Sequence, residues 1–369
     1  MLAFQYIDDD ASLAKLVSQY RESQLLVLDT EFVRTRTFYA RLGLIQAYDG
    51  KTLALIDPVA VSDLSGFWSL LTEPSITTIL HSCSEDLEVF ARNGQCQPVK
   101  LFDSQIAAAL CGFGHGLGYA KLVEQTLNIP LDKGESRTDW MKRPLSEAQL
   151  NYAANDVYYL YQLYPQLVEK LEEQNRLGWV FEEGERMTQG RLSPPDLELA
   201  YLRVKNAFQL SPKQLAYLKV LAKWRLSKAL SRDLAVGFVV KDHGLIGLAK
   251  KQPKNSSELY KMIELTEQEK RVHGKDLIRL LATADLDNLP DAIDVLALKT
   301  GYKSSFKTIK QCLSELSERH EVPIELLGSK RHIHEYLEWL WAGKVGDKPL
   351  LLSGWRETLV SAPLSALSL

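Results

Sequence analysis

The chain is expected to fold as an α/β domain, a mixed sheet with helices on its faces, followed by all-helical segments. Three observations predict this. The run LLVLDTEFV at 25–33 has the apolar composition of a central strand, although two acids interrupt it. Two further strand-like runs follow it, joined by the hairpin signal Asp49-Gly50, and beyond them helical patterns alternate with strands. After MTQGRLSPPD at 187–196, whose Gly, Ser and Pro content reads as a linker, only helical patterns remain.

In order, a short strand at 4–7 and a helix at 13–20 lead into the strand that holds Asp29. Runs at 42–48 and 52–56 complete an antiparallel meander of three strands. Ser62 or Asp63 can cap a short helix ending at Leu71, and 76–80 reads as another buried strand. A helix at 84–92 and a last short strand at 99–102 follow, with Asp103 in the position of a helix N-cap. Helical patterns cover 106–110 and 119–127. Between them GFGHGLG at 112–118 lacks the glycine spacing of a dinucleotide cradle and reads as a flexible loop. Ser146 and Gln149, in capping-box spacing after Pro144, open a long helix that continues past Leu171. From 215 to 284 short helical patterns are interrupted at Val239-Val240 and at LIGLAKKQPKNSSEL, and 291–369 is helical again.

The length of 369 residues fits two or three domains, and 46% hydrophobic residues is ordinary for globular protein. The start, MLAFQYIDDD, has neither the basic region nor the apolar core of a signal peptide, and no stretch approaches a membrane span. A soluble cytoplasmic protein is therefore expected. Cys83, Cys96, Cys111 and Cys312 show no C-x-x-C spacing, which speaks against structural zinc and against a disulfide framework. The net charge of −3 conceals an asymmetry: residues 201–275 hold sixteen Lys and Arg against six Asp and Glu, a balance of +10 that leaves −13 for the rest. So basic a segment reads as a footprint for phosphates, although solvated helix faces can also be lysine-rich. Within it Lys250, Lys251 and Lys254 flank Pro253 in an expected loop, free to meet phosphate.

Because side chains alternate along a strand, Asp29 and Glu31 share one face. Ionised together at the rim of a core they would repel one another and lose hydration unless a cation or an arginine compensates them; the run itself holds no arginine, although Arg34 and Arg36 follow, and hard carboxylate oxygens suit magnesium or manganese. The alternative is a strand that ends at Leu28, with the acids opening a solvated loop. Asp86, in HSCSEDLEVF at 81–90, falls in the first turn of its helix, where interaction with the helix dipole alone would explain it. His81 reads as a hydrogen-bonded structural residue at a strand end. Tyr152 and Asp156 stand four apart, on one face of a helix whose other residues are largely apolar (Leu150, Ala153, Ala154, Val157 and Leu160). Aspartate is a poor helix former in such an interior.

Taken together, Asp29, Glu31, Asp86 and Asp156, with a tyrosine four before the last acid, follow one order. The motifs LDTEF, HSCSEDLEVF and DWMKRPLSEAQLNYAANDVYYL resemble those of the DEDD-type 3′–5′ exonucleases of the tyrosine subgroup, and within them the ribonuclease D family. Trp224-Arg225, Asp242, Leu245, Ala249, Pro253 and Leu259 resemble an HRDC domain, and 291–369 resembles a second, divergent copy through Trp355-Arg356. The tryptophans read as buried helix anchors. The resemblance implies a ribonuclease H-like exonuclease domain at 1–185, a linker at 186–206, an HRDC bundle at 207–289 and a divergent HRDC-like bundle at 290–369.

It further implies two divalent ions, Mg²⁺ or Mn²⁺, as cofactors. Asp29 would bridge them, Glu31 and Asp156 would complete the first, Asp86 would help hold the second, and Tyr152 would orient the attacking water. The implied reaction is hydrolysis of RNA from its 3′ end to nucleoside 5′-monophosphates, with transfer-RNA precursors carrying 3′ extensions as partners. No membrane and no obligate protein partner is implied. A DNA 3′–5′ exonuclease is the alternative from the same chemistry, because the five site residues do not distinguish sugars. An inactive nucleic-acid-binding scaffold and a structural protein with surface acids are the alternatives from other classes.

Overall fold

The computed structural model of the chain describes residues 2–131 and 134–369. By contacts it divides into two units. One comprises residues up to Val33, Arg41–Leu192 and Leu296–Leu369; the other comprises Arg34–Ala40 and Ser193–Val295.

The first unit is built on a six-stranded mixed sheet. Its elements are β1 (Gln5–Ile7), α1 (Asp10–Tyr20), β2 (Leu25–Val33), β3 (Arg41–Tyr48), β4 (Leu53–Ile56), α2 (Ser65–Leu71), β5 (Thr77–Leu80), α3 (Ser84–Asn93) and β6 (Leu101–Asp103), then α4 (Ser104–Leu110), α5 (Tyr119–Leu127), α6 (Glu147–Glu173) and α7 (Leu177–Thr188). The strand order is β1-β4-β3-β2-β5-β6. β2, β3 and β4 pair antiparallel as the meander predicted, while β1 joins β4, β5 joins β2 and β6 joins β5 in parallel. At the hairpin the Asp49 carboxylate accepts from the Lys51 and Thr52 amides, and Gly50 takes φ +91°, a conformation that favours glycine.

α6 opens with the predicted capping box, Ser146 and Gln149 each accepting from the other's backbone amide. It buries Ala153, Ala154, Val157, Leu160, Leu163, Leu167 and Leu171. The loop before it is tied to the sheet by Arg143, whose guanidinium donates to both Asp57 oxygens at 2.6 Å and to the Gly43 carbonyl at 2.6 Å. Gly43 is the extra residue of a bulge: Glu31 pairs with Leu44 and Phe32 with Leu42. A Cβ on Gly43 would stand 2.6 Å from the Trp140 carbonyl oxygen, so only glycine lets the loop approach.

Three boundaries differ from the sequence reading. Neither Ser62 nor Asp63 is the cap residue of α2, which starts at Ser65 after Leu64; Ser62 is held by Asp10. The last strand starts at Leu101 because the Val99 amide is used by the Leu71 carbonyl instead of the sheet. α7 runs through Thr188, so the first residues of the expected linker are helical.

The second unit contains α8 (Pro212–Arg232), α9 (Val236–Val239), α10 (Asp242–Lys251), α11 (Ser256–Tyr260) and α12 (Glu267–Leu281). Capping boxes open α8 at Ser211 and α12 at Thr266, and Leu215, Leu218, Leu221, Val240, Leu245, Leu248 and Leu277 form its core. Most of the segment read as an interruption, LIGLAKKQPKNSSEL, is helical: α10 continues to Lys251 and ends where Gln252 takes a left-handed conformation before Pro253. The segment Arg34–Ala40 packs in this unit, with the Tyr39 amide donating to Asp233 at 2.9 Å and the Ala235 amide to the Arg36 carbonyl at 2.9 Å.

The C-terminal helices α13 (Tyr302–His320), α14 (Ile324–Gly328), α15 (Lys330–Trp341) and α16 (Gly354–Ser365) belong to the first unit. They meet α7 through a buried ionic cluster. Glu183 accepts from Trp355 Nε1 at 3.0 Å, from Arg186 at 2.5 Å and from Arg356, while Arg356 also donates to the Leu326 carbonyl at 2.7 and 2.9 Å. The Trp179 and Trp355 rings stack beside it, 4.6 Å apart. Trp355 is the buried anchor expected, but the two Trp-Arg pairs are not equivalent positions. Trp224-Arg225 lies in the first long helix of its bundle and Trp355-Arg356 in the last helix of the chain. Their likeness is chemical, since Arg225 likewise pairs with a carbonyl, Val240, and a carboxylate, Asp242.

Two outcomes follow for stability. Burial works against the Glu183 charge, but the Arg356 hydrogen bond, with Arg186 behind it, holds its carboxyl below the usual range. A depressed pKa stabilises the fold above the unfolded-state value of about 4.3 and loses that contribution as pH falls through the folded one. Arg356→Leu, which leaves Glu183 short of its buried partner, is expected to cost about 3–5 kcal/mol in equilibrium unfolding at neutral pH, and less in acid. Gly43→Ala is expected to cost about 1–3 kcal/mol, measured the same way, because the obstructing atom is backbone.

Candidate active site

Three elements, β2, α3 and α6, deliver the acids. β2 is central in the sheet: β5 pairs with it along Leu25–Val27 and β3 along Val27–Val33, so the stretch that carries the acids is held by β3. It presents Asp29 and Glu31 to the face that α6 covers with Tyr152 and Asp156. Carboxylate oxygens of Asp29, Glu31 and Asp156 all lie within 4.8 Å of one another. The reading in which β2 ends at Leu28 is thereby corrected: the strand continues to Val33, carried by pairing with β3.

Asp86 stands beside this trio. Its side chain is buried in the first turn of α3 and accepts from Thr30 Oγ1 at 2.5 Å, and its charge is felt by Glu31. The loop that leads into α3 is set by Asp103, which caps α4 as predicted through Gln105 and Ile106. The same carboxylate accepts from the Ser82 and Cys83 amides at 3.3 and 2.9 Å. One buried acid thus fixes two helix starts, and with them the place of Asp86.

Packing four acids this closely has an electrostatic consequence. Burial, and then the neighbouring Asp156, push Asp29 well above the usual carboxylate range. Burial and the three other acids push Glu31 up to about 10. Asp86 is raised by burial and by Asp29, and Asp156 to about 8 by burial, against the pull of the Tyr152 hydroxyl. Full ionisation of this cluster requires positive charge, and an all-oxygen set of this kind suits a hard divalent cation. Tyr152 itself is pushed well above its usual value, by burial first and then by Asp156, Glu31 and Asp29, which makes it a hydrogen-bond donor at neutral pH, not a base.

A cavity of about 100 Å³ opens onto Asp29, Asp156 and Tyr152, and one of about 220 Å³, lined by Gly134, Glu135 and Asn151, reaches Tyr152 and Asp156 from another side. A larger depression of about 550 Å³ at Ser62, Trp68 and Gly94 shares no residue with them. The sequence reading missed Tyr119, which lines the smaller cavity and donates to the Asp156 and Asn155 carbonyls at 2.6 and 3.0 Å, pinning α5 to α6 at the acid. No local signal marks so distant a contact. His81 hydrogen-bonds with Ser104 at 2.9 Å, the structural role expected, and also lines that cavity.

Lys250, Lys251 and Lys254 lie in the second unit. The structure corrects their placement: Lys250 and Lys251 form the last turn of α10, where cations suit the helix dipole, and only Lys254 is in the loop. Lys251 pairs with Glu264 at 2.7 Å. No helix among the described residues is long and apolar enough to cross a membrane, and all four cysteines are free.

Comparison with known proteins agrees with this geometry. The chain matches a 3′–5′ exonuclease family over residues 4–172, the HRDC domain over 214–281 and the ribonuclease D C-terminal HRDC domain over 300–364. It is 71% identical to ribonuclease D of Shewanella sp. (strain ANA-3), covering 99% of this chain and 94% of that protein. It is 43% identical to ribonuclease D of Escherichia coli (strain K12), covering 98% and 97%. The crystal structure of Escherichia coli RNase D, an exoribonuclease involved in structured RNA processing, superposes with a TM-score of 0.94 at 43% identity, covering 99% of this chain and 98% of that one. With identity of this order over nearly its whole length, the chain belongs to the ribonuclease D family of 3′–5′ exoribonucleases.

Proposed function

We propose that the chain trims RNA from the 3′ end to nucleoside 5′-monophosphates, with Asp29, Glu31, Asp86 and Asp156 as metal ligands and Tyr152 as the residue that orients the attacking water. The observation that carries this reading is the convergence of carboxylates from β2 and α6 to within 4.8 Å, with the tyrosine beside them. Two divalent ions, Mg²⁺ or Mn²⁺, would neutralise the phosphate oxygens, make water acidic and stabilise the leaving oxygen. The chain's own residues do the rest. Asp29 and Glu31, on a strand held in register by β3, keep the donor set in place. Asp156 is held by the Tyr119 contact to its carbonyl. Tyr152, a donor throughout the neutral range, aligns water without removing its proton.

The substrates we propose are transfer-RNA precursors with 3′ extensions. The basic segment 201–275 would hold the RNA body, and Lys250, Lys251 and Lys254 are candidate phosphate contacts within it. In this reading the exonuclease domain occupies 1–185, the linker 186–206 and the HRDC-type bundles 207–289 and 290–369. The kinship of this chain with proteins named for RNA favours RNA over DNA. An assay of end-labelled RNA and DNA of matched sequence, with Mg²⁺, Mn²⁺ or chelator, tests sugar, polarity and metal together. Stepwise 3′ loss from RNA, absent in chelator, is the expected result, and equal or faster loss from DNA would overturn the substrate assignment.

Asp29→Asn and Asp156→Asn keep shape and remove the charge a cation needs, so each is expected to lower turnover by more than about a hundred-fold. RNA affinity measured in chelator should stay near wild type, and wild-type turnover in either variant would contradict the ligand assignment. Tyr152→Phe keeps the ring and removes the hydroxyl. It is expected to lower kcat by up to about a hundred-fold with little change in KM. A rise in KM at unchanged kcat would show that the hydroxyl binds substrate instead.

A further inference from the structure

The second unit contains a groove of about 420 Å³ with Arg36, Arg232 and Lys241 on its walls and Phe238 within it. These three cations form no ion pair among the described residues. A fourth, Lys228, is shared with Asp276 at 3.3 Å. The one acid in the lining, Glu269, is already used: its oxygens accept from the Thr266 and Lys241 amides at 2.7 and 3.1 Å, which cap and brace α12. Positive charge is therefore in excess there and is not consumed by the fold.

The groove also has an apolar side. Phe238 leaves 52% of its surface exposed and Val272 leaves 50%; other large apolar side chains of this unit, such as Ile263, are exposed too, but these two line the cationic groove. The Arg36 guanidinium lies 5.1 Å from the Phe238 ring centre, a cation–π contact that holds both side chains at the groove. His273, 8% exposed, lines the same wall with an Nδ1 that has no hydrogen-bond partner. An exposed ring among unpaired cations matches the chemistry of a single nucleic-acid strand, in which phosphates and stacking bases alternate. An acidic peptide would use the cations and leave the ring and the histidine without a role.

We propose that this groove is a binding site for single-stranded RNA, with Phe238 as the stacking platform for a base and Arg36, Arg232 and Lys241 as phosphate contacts. The proposal deepens the reading that the basic segment holds RNA and rests on it. It moves the main contact from the end of α10 to a groove that a residue outside that segment, Arg36, helps to build. The Arg36 backbone is fixed for this, because its carbonyl accepts from the Ala235 amide and Asp233 holds Tyr39. The position of Arg36 is thus set by the unit itself.

The test is binding of the full-length chain to an unstructured oligouridylate in chelator, which prevents hydrolysis, at several salt concentrations. Phe238→Ala is expected to weaken binding about ten-fold with the salt slope unchanged, since stacking releases no counterion. Arg36→Glu combined with Arg232→Glu should make the slope of log affinity against log salt shallower by about 1.4, roughly 0.7 for each phosphate contact to a single strand. Lys241→Glu alone should lower it by about half as much, a check that does not depend on the double variant folding. Lys250→Glu with Lys251→Glu and Lys254→Glu serves as the comparator and should change affinity less than the groove variants. If only the comparator weakens binding, the groove proposal fails while the segment's role survives; if neither set does, both fail. Displacement of the RNA by an oligoglutamate of equal charge with undiminished affinity for the Phe238→Ala variant would overturn the assignment to RNA.

Discussion

The structure depends on holding carboxylates closer together than they would remain in water. At separations below 4.8 Å, each ionised pair in a partly buried site repels by roughly 3–4 kcal/mol at an effective dielectric of about 20. Three such pairs rival the stabilisation of roughly 6–12 kcal/mol from burying Leu160, Leu163, Leu167 and Leu171 along α6. The acids therefore cannot all be charged without help, and the backbone cannot move to separate them. At the acids β2 is held in register by β3, and α6 is held along its length by apolar contacts, so relief comes from protons or from a cation. A site of this kind is poised for divalent metal because its scaffold is stiff.

That stiffness has specific supports. A bulge in β3, one residue past the position opposite Glu31, places Gly43 under the Trp140 carbonyl, and Trp140 packs 6.2 Å from the Tyr152 ring. Arg143 then clamps the same loop to Asp57, which also accepts from the Tyr6 hydroxyl at 2.7 Å and the Val59 amide at 2.9 Å. A missing side chain, a bidentate ion pair and an edge strand thus cooperate to aim one tyrosine. Asp103 does the corresponding work for Asp86. In both cases the supporting residue lies far from the acid in sequence.

This distance explains what could and could not be read from the sequence. The meander, the Asp49-Gly50 hairpin, the Asp103 cap and the Ser146 capping box were legible because each is a local pattern with one physical reading. The pairs Asp29/Glu31 and Tyr152/Asp156 were legible because they obey the two- and 3.6-residue periods of strand and helix, whereas their union with Asp86 came from the resemblance of three motifs to a known exonuclease family. Tyr119 and the Gly43 bulge were not, since their partners are brought in by tertiary packing. Lys250 and Lys251 were misplaced because Pro253 suggested a loop throughout, whereas the left-handed cap at Gln252 lets α10 persist up to it. The Trp355-Arg356 pair pointed to the C-terminal HRDC domain that is present at 300–364, but not by a shared repeat position: a guanidinium satisfying a carbonyl and a carboxylate recurs wherever a helix must be anchored.

The distribution of charge carries a further argument. An acidic site repels the phosphates it must receive, and the chain answers with a surplus of +10 in residues 201–275 against −13 elsewhere. The two charge systems differ in their exposure to salt. Half-buried carboxylates are screened little, whereas cations at a solvated surface act over a Debye length of about 8–10 Å at physiological ionic strength. Under the proposed function the chemistry should accordingly be insensitive to salt while capture of RNA is tuned by it, and a single chain can separate the two only by keeping them in different environments. The sequence makes the division within a few residues: β2 brings Asp29 and Glu31 to the sheet and ends at Val33, and the next segment, Arg34–Ala40, packs with the basic unit. Arg36 therefore follows Glu31 by five residues, yet one belongs to a half-buried acidic cluster and the other to a solvated cationic groove.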